Sequence, residues 1–193
     1  MKYVIATLKS VSPYSQSKNY EVERLQGESM DDHYRRTWRN HLHTTSEGIV
    51  FIPPTAFKVC LSEGAKYLSI PIPGKGKATY TKNFVAGILV AKPLLLGIHK
   101  DKIEYERLYL PSDGKPGGSK RVWKYFPLIE SWQGDVEFII LDETVLQTAR
   151  NDTKTVFEKV LIDCGNFIGI GRFRPSKNGF YGRYEVVKVR IHE

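Results

Sequence analysis

Two ranges of the chain alternate apolar and polar side chains with a period of two. Residues 3–9 form the first range and residues 183–191 form the second. In the second range, one face carries Val187, Val189 and Ile191. A period of two is typical of a strand that buries one face. We therefore expect one strand near the start of the chain and another near its end.

A helical period follows a short apolar run in the first third of the chain. Residues 48–52 are mostly apolar and are followed by Pro53 and Pro54. Proline is tolerated in the first turn of a helix, so a strand ends and a helix begins at this point. The apolar positions that follow have the spacing of one helix face: Phe57, Cys60, Leu61, Gly64, Ala65 and Leu68.

A second helix is predicted from Asp152 to Cys164. Asp152 is a suitable N-cap residue, and Gly165 is suited to the left-handed residue that ends a helix. Between them lies a stripe of apolar side chains at helical spacing: Val156, Phe157, Val160, Leu161 and Cys164. We expect this stripe to be buried.

The remaining ranges complete an α+β pattern. Further strands are predicted over 84–92, 103–110, 121–128 and 134–141, and loops over 70–83 and 111–120. Residues 10–47 are polar and irregular, with a short helix near 29–40, and form a long inserted excursion. Helices and strands that each bury one face build a layered α+β fold. We expect one domain over residues 1–193.

The composition favours a polyanionic partner. Lys and Arg exceed Asp and Glu, 29 to 21, and the formal net charge is +8. A strongly basic domain attracts nucleic acid or an acidic surface. The chain has no apolar run of membrane-spanning length and no signal peptide at its start, so we expect a cytoplasmic protein without a membrane partner. Its two cysteines are expected to be core thiols.

The last fifth of the chain carries the most informative motif. Residues 169–184 interleave four glycines, four cations and four aromatic residues. Arg174 stands where a dinucleotide-binding fingerprint needs its third glycine, and no Gly-Lys-Ser/Thr follows as a P-loop requires. Cations neutralise phosphates and flat rings stack on bases, so the mixture favours nucleic-acid contact. The alternative is a glycine-rich turn between a helix and a strand.

Two segments carry a resemblance to a known family. Residues 169–184 place Gly-x-Gly after a helix and Gly-Phe-Tyr-Gly before a final strand, which resembles the glycine-rich loop of the RAMP superfamily of CRISPR-associated proteins. Residues 48–58, where a strand ends in Ile-Pro before a helix, are similar to a landmark of the backbone subunits of CRISPR effector complexes. The resemblance implies a ferredoxin-like (RRM-like) antiparallel sheet with two helices and long inserted loops.

The same resemblance implies a mode of action and a set of contacts. Backbone subunits of this type assemble along a guide RNA, and residues 10–47 would correspond to their protruding thumb. Carried onto this chain, the phosphate-contacting positions are Gly169, Gly171, Arg172, Arg174, Lys177, Gly182 and Arg183, together with Lys58 at the start of the first long helix.

The excursion offers further candidates. Trp38 lies between Arg36 and Arg39, a combination suited to gripping a strand. A histidine of the same excursion is a candidate general base on a ribose hydroxyl. The candidate catalytic residues are His33, His41 and His43, with Asp32. The alternative is a solvated, salt-bridged helix, and since His41 and His43 lack a convincing third ligand we expect no metal and no cofactor.

A second basic and aromatic patch is predicted near the middle of the chain. Its members are Lys115, Lys120, Arg121 and Lys124, near Trp123 and Tyr125. The patch either lines the same groove as the glycine-rich segment or forms an exposed hairpin tip.

The sequence supports one leading function and two alternatives. The leading hypothesis is a non-enzymatic, sequence-tolerant protein that binds single-stranded nucleic acid, RNA favoured over DNA, and assembles side by side or with other ribonucleoprotein subunits. The first alternative is a metal-independent endoribonuclease with a histidine of residues 29–43. The second is a phage-encoded mimic that inhibits a CRISPR complex by occupying the partners of one of its subunits.

Overall fold

The structure is a computed structural model that describes residues 1–112, 120–150 and 152–192. The described residues form an α+β arrangement of nine strands and four α-helices. The strands are β1 Lys2–Ser10, β2 Tyr14–Ser15, β3 Ile49–Ile52, β4 Ile88–Leu89, β5 Leu94–His99, β6 Glu104–Pro111, β7 Arg121–Ile129, β8 Gln133–Ile140 and β9 Tyr184–His192. The helices are α1 Met30–Thr37, α2 Pro54–Leu68, α3 Thr81–Gly87 and α4 Val156–Asp163.

The largest sheet has the order β4-β8-β1-β9, and every neighbouring pair is antiparallel. Strand β1 alternates as predicted, since Val4, Ala6 and Leu8 are fully buried and the residues between them are partly exposed. The buried face meets α2 and α4, where the ring of Phe157 packs 5.2 Å from that of Phe138. Burial of this face against two helices supplies the main core.

The last strand departs from the predicted pattern. Its register against β1 shifts by one residue, with Thr7 opposite Lys188 and Leu8 opposite Val186. This bulge leaves Val187 unpaired and exposed, so the expected apolar face of Val187, Val189 and Ile191 was wrong at Val187. A bulge inserts one extra residue and reverses the alternation beyond it.

Helix α2 confirms the prediction made from the paired prolines. Pro54 occupies the first turn, and the buried positions Phe57, Cys60, Leu61, Gly64 and Ala65 are those of the predicted stripe. The two cysteines are buried core thiols, as expected. The thiol of Cys164 donates to the carbonyl of Cys60 at 3.4 Å, which ties the end of the α4 segment to α2.

The strand predicted over residues 84–92 was largely wrong. Residues 81–87 form α3, and only the two residues of β4 are extended. Tyr80, Phe84 and Ile88 are all buried, at a spacing of four that suits a helix as well as it suits alternation. Strand β5, which pairs with β3, was not predicted.

Helix α4 begins later than predicted and ends differently. Thr155, not Asp152, is the N-cap, and it forms a capping box with Glu158. A π-helical turn over Cys164–Ile168 extends the helix. Gly165 is therefore not the residue that ends the helix; Gly169 ends it, with an extended ψ and a positive φ of 69°.

The excursion packs against a long hairpin rather than standing apart. Strands β6 and β7 pair from Glu104 opposite Leu128 to Pro111 opposite Arg121, and β2 adds to β7. Helix α1, close to the predicted range 29–40, lies against β7. The predicted loop over 111–120 falls mostly on residues 113–119, which lie outside the described residues, as does Lys115. Among the described helices, none combines the length and apolar character needed to cross a membrane.

Candidate nucleic-acid interface

The segment from Gly169 to Arg183, hereafter the glycine loop, joins the end of the α4 segment to β9. Gly169, Gly171 and Gly182 all have φ between 67° and 75°, a region that favours glycine. A Cβ at Gly182 would collide with the carbonyl of Ile170, and one at Gly171 would meet the ring of Tyr14. The glycines are therefore required by the packing of the loop itself.

Residues just after β1 hold the glycine loop in place. The N–H of Gly182 donates to the carbonyl of Pro13 at 2.7 Å, and the N–H of Arg172 donates to the carbonyl of Ser15 at 3.0 Å. The hydroxyl of Ser12 donates to the carbonyl of Phe180 at 2.6 Å. Because these bonds involve backbone groups of the loop, its shape is fixed by the fold.

A cavity of about 290 Å³ lies between the glycine loop and the first turn of α2. Its lining includes Lys18, His43, Thr55, Gly169 and Arg174, and among the described residues that line it there is no Asp or Glu. Burial and the nearby Lys18 ammonium lower the pKa of His43. Lys18 and Arg174 therefore bring positive charge to the cavity lining, and Glu63 of α2 compensates that of Arg174. Lys18 was not singled out from the sequence, because nothing in its local pattern marks it.

Arg174 lines this cavity, and Lys177 follows three residues later on the glycine loop. Arg174 pairs with Glu63 of α2, with Nη2 to carboxylate distances of 3.0 and 3.2 Å, and also donates to the carbonyl of Gly171. Lys177 is exposed at the end of a short 3₁₀ turn. The ring of Phe180 is 61% exposed, whereas the ring of Tyr184 is buried in the core.

Arg172 points away from solvent and joins the glycine loop to the hairpin. Its guanidinium forms an ion pair with Glu106 of β6 and lies 3.7 Å from the centre of the Phe126 ring. The hydroxyl of Tyr181 donates to the same carboxylate at 2.9 Å. Burial lowers the pKa of Arg172 although Glu106 opposes the shift. We assign Arg172 to the support of the loop rather than to its open surface.

Two other predicted contacts are also held inside the fold. Lys58 donates to three carbonyls, those of Phe84, Val85 and Ile88, at 2.7 to 2.8 Å, and burial lowers its pKa. The ammonium therefore binds the end of α3. The guanidinium Nε of Arg183 is buried, with no hydrogen-bond partner in the described part of the chain.

The predicted grip around Trp38 is mostly internal. Trp38 is 3% exposed, its ring lies 5.2 Å from that of Tyr105, and the guanidinium of Arg39 covers it at 4.4 Å. Arg36 binds both carboxylate oxygens of Glu28, at 2.6 and 2.9 Å. This part of the excursion matches the salt-bridged alternative more closely than an open grip, although Arg39 remains about half exposed.

The candidate catalytic residues divide between two cavities. His33 and His41 line a cavity of about 680 Å³ with Tyr20 and Tyr34, whereas His43 lines the cavity at the glycine loop. Asp32 belongs to the N-terminal cap of α1, where its carboxylate accepts from the hydroxyl of Ser29. Within the described ranges, no three acidic, histidine or cysteine side chains are placed to hold a metal ion.

One face of the β6–β7 hairpin carries a row of rings and cations. Tyr105, Arg107 and Tyr109 alternate along β6, and Tyr125 and Trp123 lie opposite the last two. Side chains two apart on a strand share a face, as do directly paired residues. The predicted contacts Lys120 and Arg121 are exposed at the outer end of this hairpin. The β6 residues were missed because the pattern Tyr-x-Arg-x-Tyr is also that of an ordinary strand.

Comparison with known proteins does not extend this description. No protein-family model matches the chain, and no curated protein is significantly similar to it. We therefore infer function from the geometry of the glycine loop, its cavity and the hairpin.

Proposed function

We propose that the protein binds single-stranded nucleic acid, RNA in preference to DNA, along its sugar–phosphate backbone at the glycine-loop cavity. The observation that carries the proposal is the cavity beside the glycine loop, which Lys18 and Arg174 line without a carboxylate among the lining residues described, while Glu63 pairs with Arg174 from outside that lining. Cations concentrated at a concave surface attract phosphates and track a strand without reading its sequence.

We further propose that the fold is ferredoxin-like and of the RAMP type. In chain order β1, α2, β4, β8, α4 and β9 give the pattern β-α-β-β-α-β. Its insertions are β2, α1 and β3 before α2, α3 before β4, and β5 to β7 before β8. The antiparallel order β4-β8-β1-β9 supports this interpretation. The glycine loop between α4 and β9, and the prolines that open α2, are where RAMP proteins carry their landmarks. Such a fold would account for side-by-side assembly along one RNA.

Binding of a labelled 20-nucleotide single-stranded RNA, followed by fluorescence anisotropy over a salt series, tests the proposal. We expect a Kd in the micromolar range or tighter. If Lys18, Arg174 and Lys177 each neutralise a phosphate, the slope of log affinity against log salt should be about −2, since single strands give about −0.7 per contact. Replacing Lys18 or Lys177 with alanine should weaken binding several-fold and flatten the slope by about 0.7.

Lys92→Ala is the matched control, because Lys92 is exposed and pairs with Glu137 on a different part of the surface. Its affinity and salt slope should equal those of the unaltered protein. Absence of binding by the unaltered protein at low salt would exclude the proposed function.

A second candidate function, metal-independent cleavage of RNA, is favoured by one observation. A carbonyl only accepts hydrogen bonds, so Nδ1 of His41, which lies 3.0 Å from the carbonyl of Lys18, carries the proton. The other nitrogen of the neutral ring then carries the lone pair that a general base requires. Burial and the charges of Arg172 and Lys124 lower the pKa of His41 and favour this neutral form.

Incubation of RNA with the protein in EDTA tests this second candidate. Cleavage is expected with the unaltered protein and with His192→Ala, which changes an exposed histidine at the end of β9, and is expected to be lost in His41→Gln. Intact RNA in every reaction, or equal cleavage by all three proteins, would contradict it.

A further inference from the structure

We infer that the exposed face of the β6–β7 hairpin is a second contact for nucleic acid, one that stacks unpaired bases. The inference rests on the proposed function, and it names a different chemistry from that of the glycine-loop cavity. The cavity offers cations and loop backbone to phosphates, whereas the hairpin offers flat side chains to the bases of the same strand.

The flat groups of this face form one continuous row. The rings of Tyr109 and Trp123 are 5.0 Å apart, and the guanidinium of Arg107 lies 4.0 Å above the Trp123 ring and 5.7 Å from Tyr125. The ring of Tyr125 is 5.3 Å from that of Tyr105. Rings and a guanidinium at these separations hold one another in fixed orientations, which prepares the surface for a flat ligand.

Three rings of the row are partly open to solvent. Tyr105, Tyr109 and Trp123 are 46%, 50% and 38% exposed. Large aromatic side chains grouped on an exposed surface mark a binding site more often than isolated ones do. At the base of the row, Tyr125 is buried and hydrogen-bonded to Asp31 of α1, and the Trp38 ring packs on Tyr105, so a ligand would approach from the outer end.

The positive charge of this face favours a nucleic acid over an apolar protein partner. Arg107 stands within the row, and Arg121 and Lys120 are exposed at its outer end, where phosphates joining stacked bases would lie. The carboxylate of Asp31, a residue of α1, lies 3.5 Å from the Arg107 guanidinium. This ion pair is at the covered end of the row. Stacking on aromatic side chains is tolerant of sequence because every base presents a flat face.

Intrinsic fluorescence gives a direct test, since the chain has three tryptophans and two of them are buried. Trp38 and Trp132 are 3% and 5% exposed, so quenching by an added strand reports chiefly on Trp123. Two probes are compared, a 12-nucleotide single-stranded RNA and a strand of the same length and charge that lacks bases. The RNA is expected to bind more tightly and to quench. The strand without bases is expected to bind through the cavity without quenching.

Variants separate this contact from the cavity. Tyr109→Ala and Trp123→Ala should each weaken RNA binding by about fivefold or more and leave affinity for the strand without bases unchanged. Trp123→Phe should retain affinity but lose the quenching. Tyr67→Ala is the matched control, because Tyr67 is 67% exposed on α2 and should affect neither probe.

Each outcome decides a different claim. RNA binding that is equal in Tyr109→Ala, Trp123→Ala and the unaltered protein overturns the inference and leaves the proposed function standing. If the two alanine variants instead lose a protein dimer seen by gel filtration, with no quenching by RNA, the face is a protein interface and the inference is also overturned. Failure of the unaltered protein to bind either probe removes the proposed function and this inference together.

Discussion

Replacing Gly182 with alanine is expected to lower the free energy of unfolding by about 3 kcal/mol or more. The φ of Gly182 is 67°, which is unfavourable for a residue with a side chain. The new Cβ would also meet the carbonyl oxygen of Ile170 and lie 2.8 Å from its carbonyl carbon. The backbone of Ile170 cannot move aside as a flexible side chain does, so the cost of the collision adds to the cost of the positive φ. Urea unfolding followed by circular dichroism measures the loss.

Gly74→Ala is the control for the conformational term alone. Gly74 has a similar φ of 74°, but a Cβ there would meet no atom within 4 Å. Its loss of stability should be about 1 kcal/mol. Equal losses in the two variants would mean that crowding against Ile170 has no weight, and would contradict the packing role given to this glycine.

Arg172→Ala is expected to destabilise the protein by about 2–4 kcal/mol, because it leaves Glu106 without its charged partner in a largely buried position. The guanidinium also packs on the Phe126 ring, and that contact is lost as well. The double variant Arg172→Met with Glu106→Gln should recover part of the loss, since neither side chain is then charged. Urea unfolding of the single and double variants tests both statements.

Arg190→Ala is the comparison for an exposed ion pair. Arg190 meets Asp135 at 2.6 Å, but both side chains are largely exposed, so the loss should stay below about 1 kcal/mol. If Arg172→Ala is no more destabilised than Arg190→Ala and weakens RNA binding instead, Arg172 belongs to the binding surface and its supporting role is wrong.

The sequence predicts elements well where local chemistry decides them. Pro53 and Pro54 start α2, and the apolar spacing that follows is confirmed residue by residue. Prediction from the sequence fails where contacts with residues distant along the chain decide the structure. Residues 84–92 present four-residue spacing that both a helix and a strand accommodate, and Lys58 stabilises the helix by binding carbonyls at its end. That lysine lies far away in sequence, so no local pattern reveals it.

The same limit applies to the candidate site. The sequence correctly places a glycine loop between a helix and the last strand, but it cannot tell an exposed cation from one paired inside. Arg172 meets a carboxylate 66 positions away, whereas Lys177 is exposed five residues later in the same loop. Trp38 likewise is buried by Tyr105, a residue of another strand. Pairing partners separated by this much sequence are a tertiary property.

The central position of β1 has a consequence for synthesis on the ribosome. Both of its neighbours come late in the chain, β8 at residues 133–140 and β9 at residues 184–192. The nascent strand β1 therefore emerges with both of its edges unpaired. It cannot pair until most of the polypeptide has been translated. Contacts this distant in sequence slow folding and lengthen the exposure of apolar surface. The newly made chain therefore exposes an unpaired edge of β1 until β9 has left the exit tunnel, which is the interval in which a chaperone would protect it.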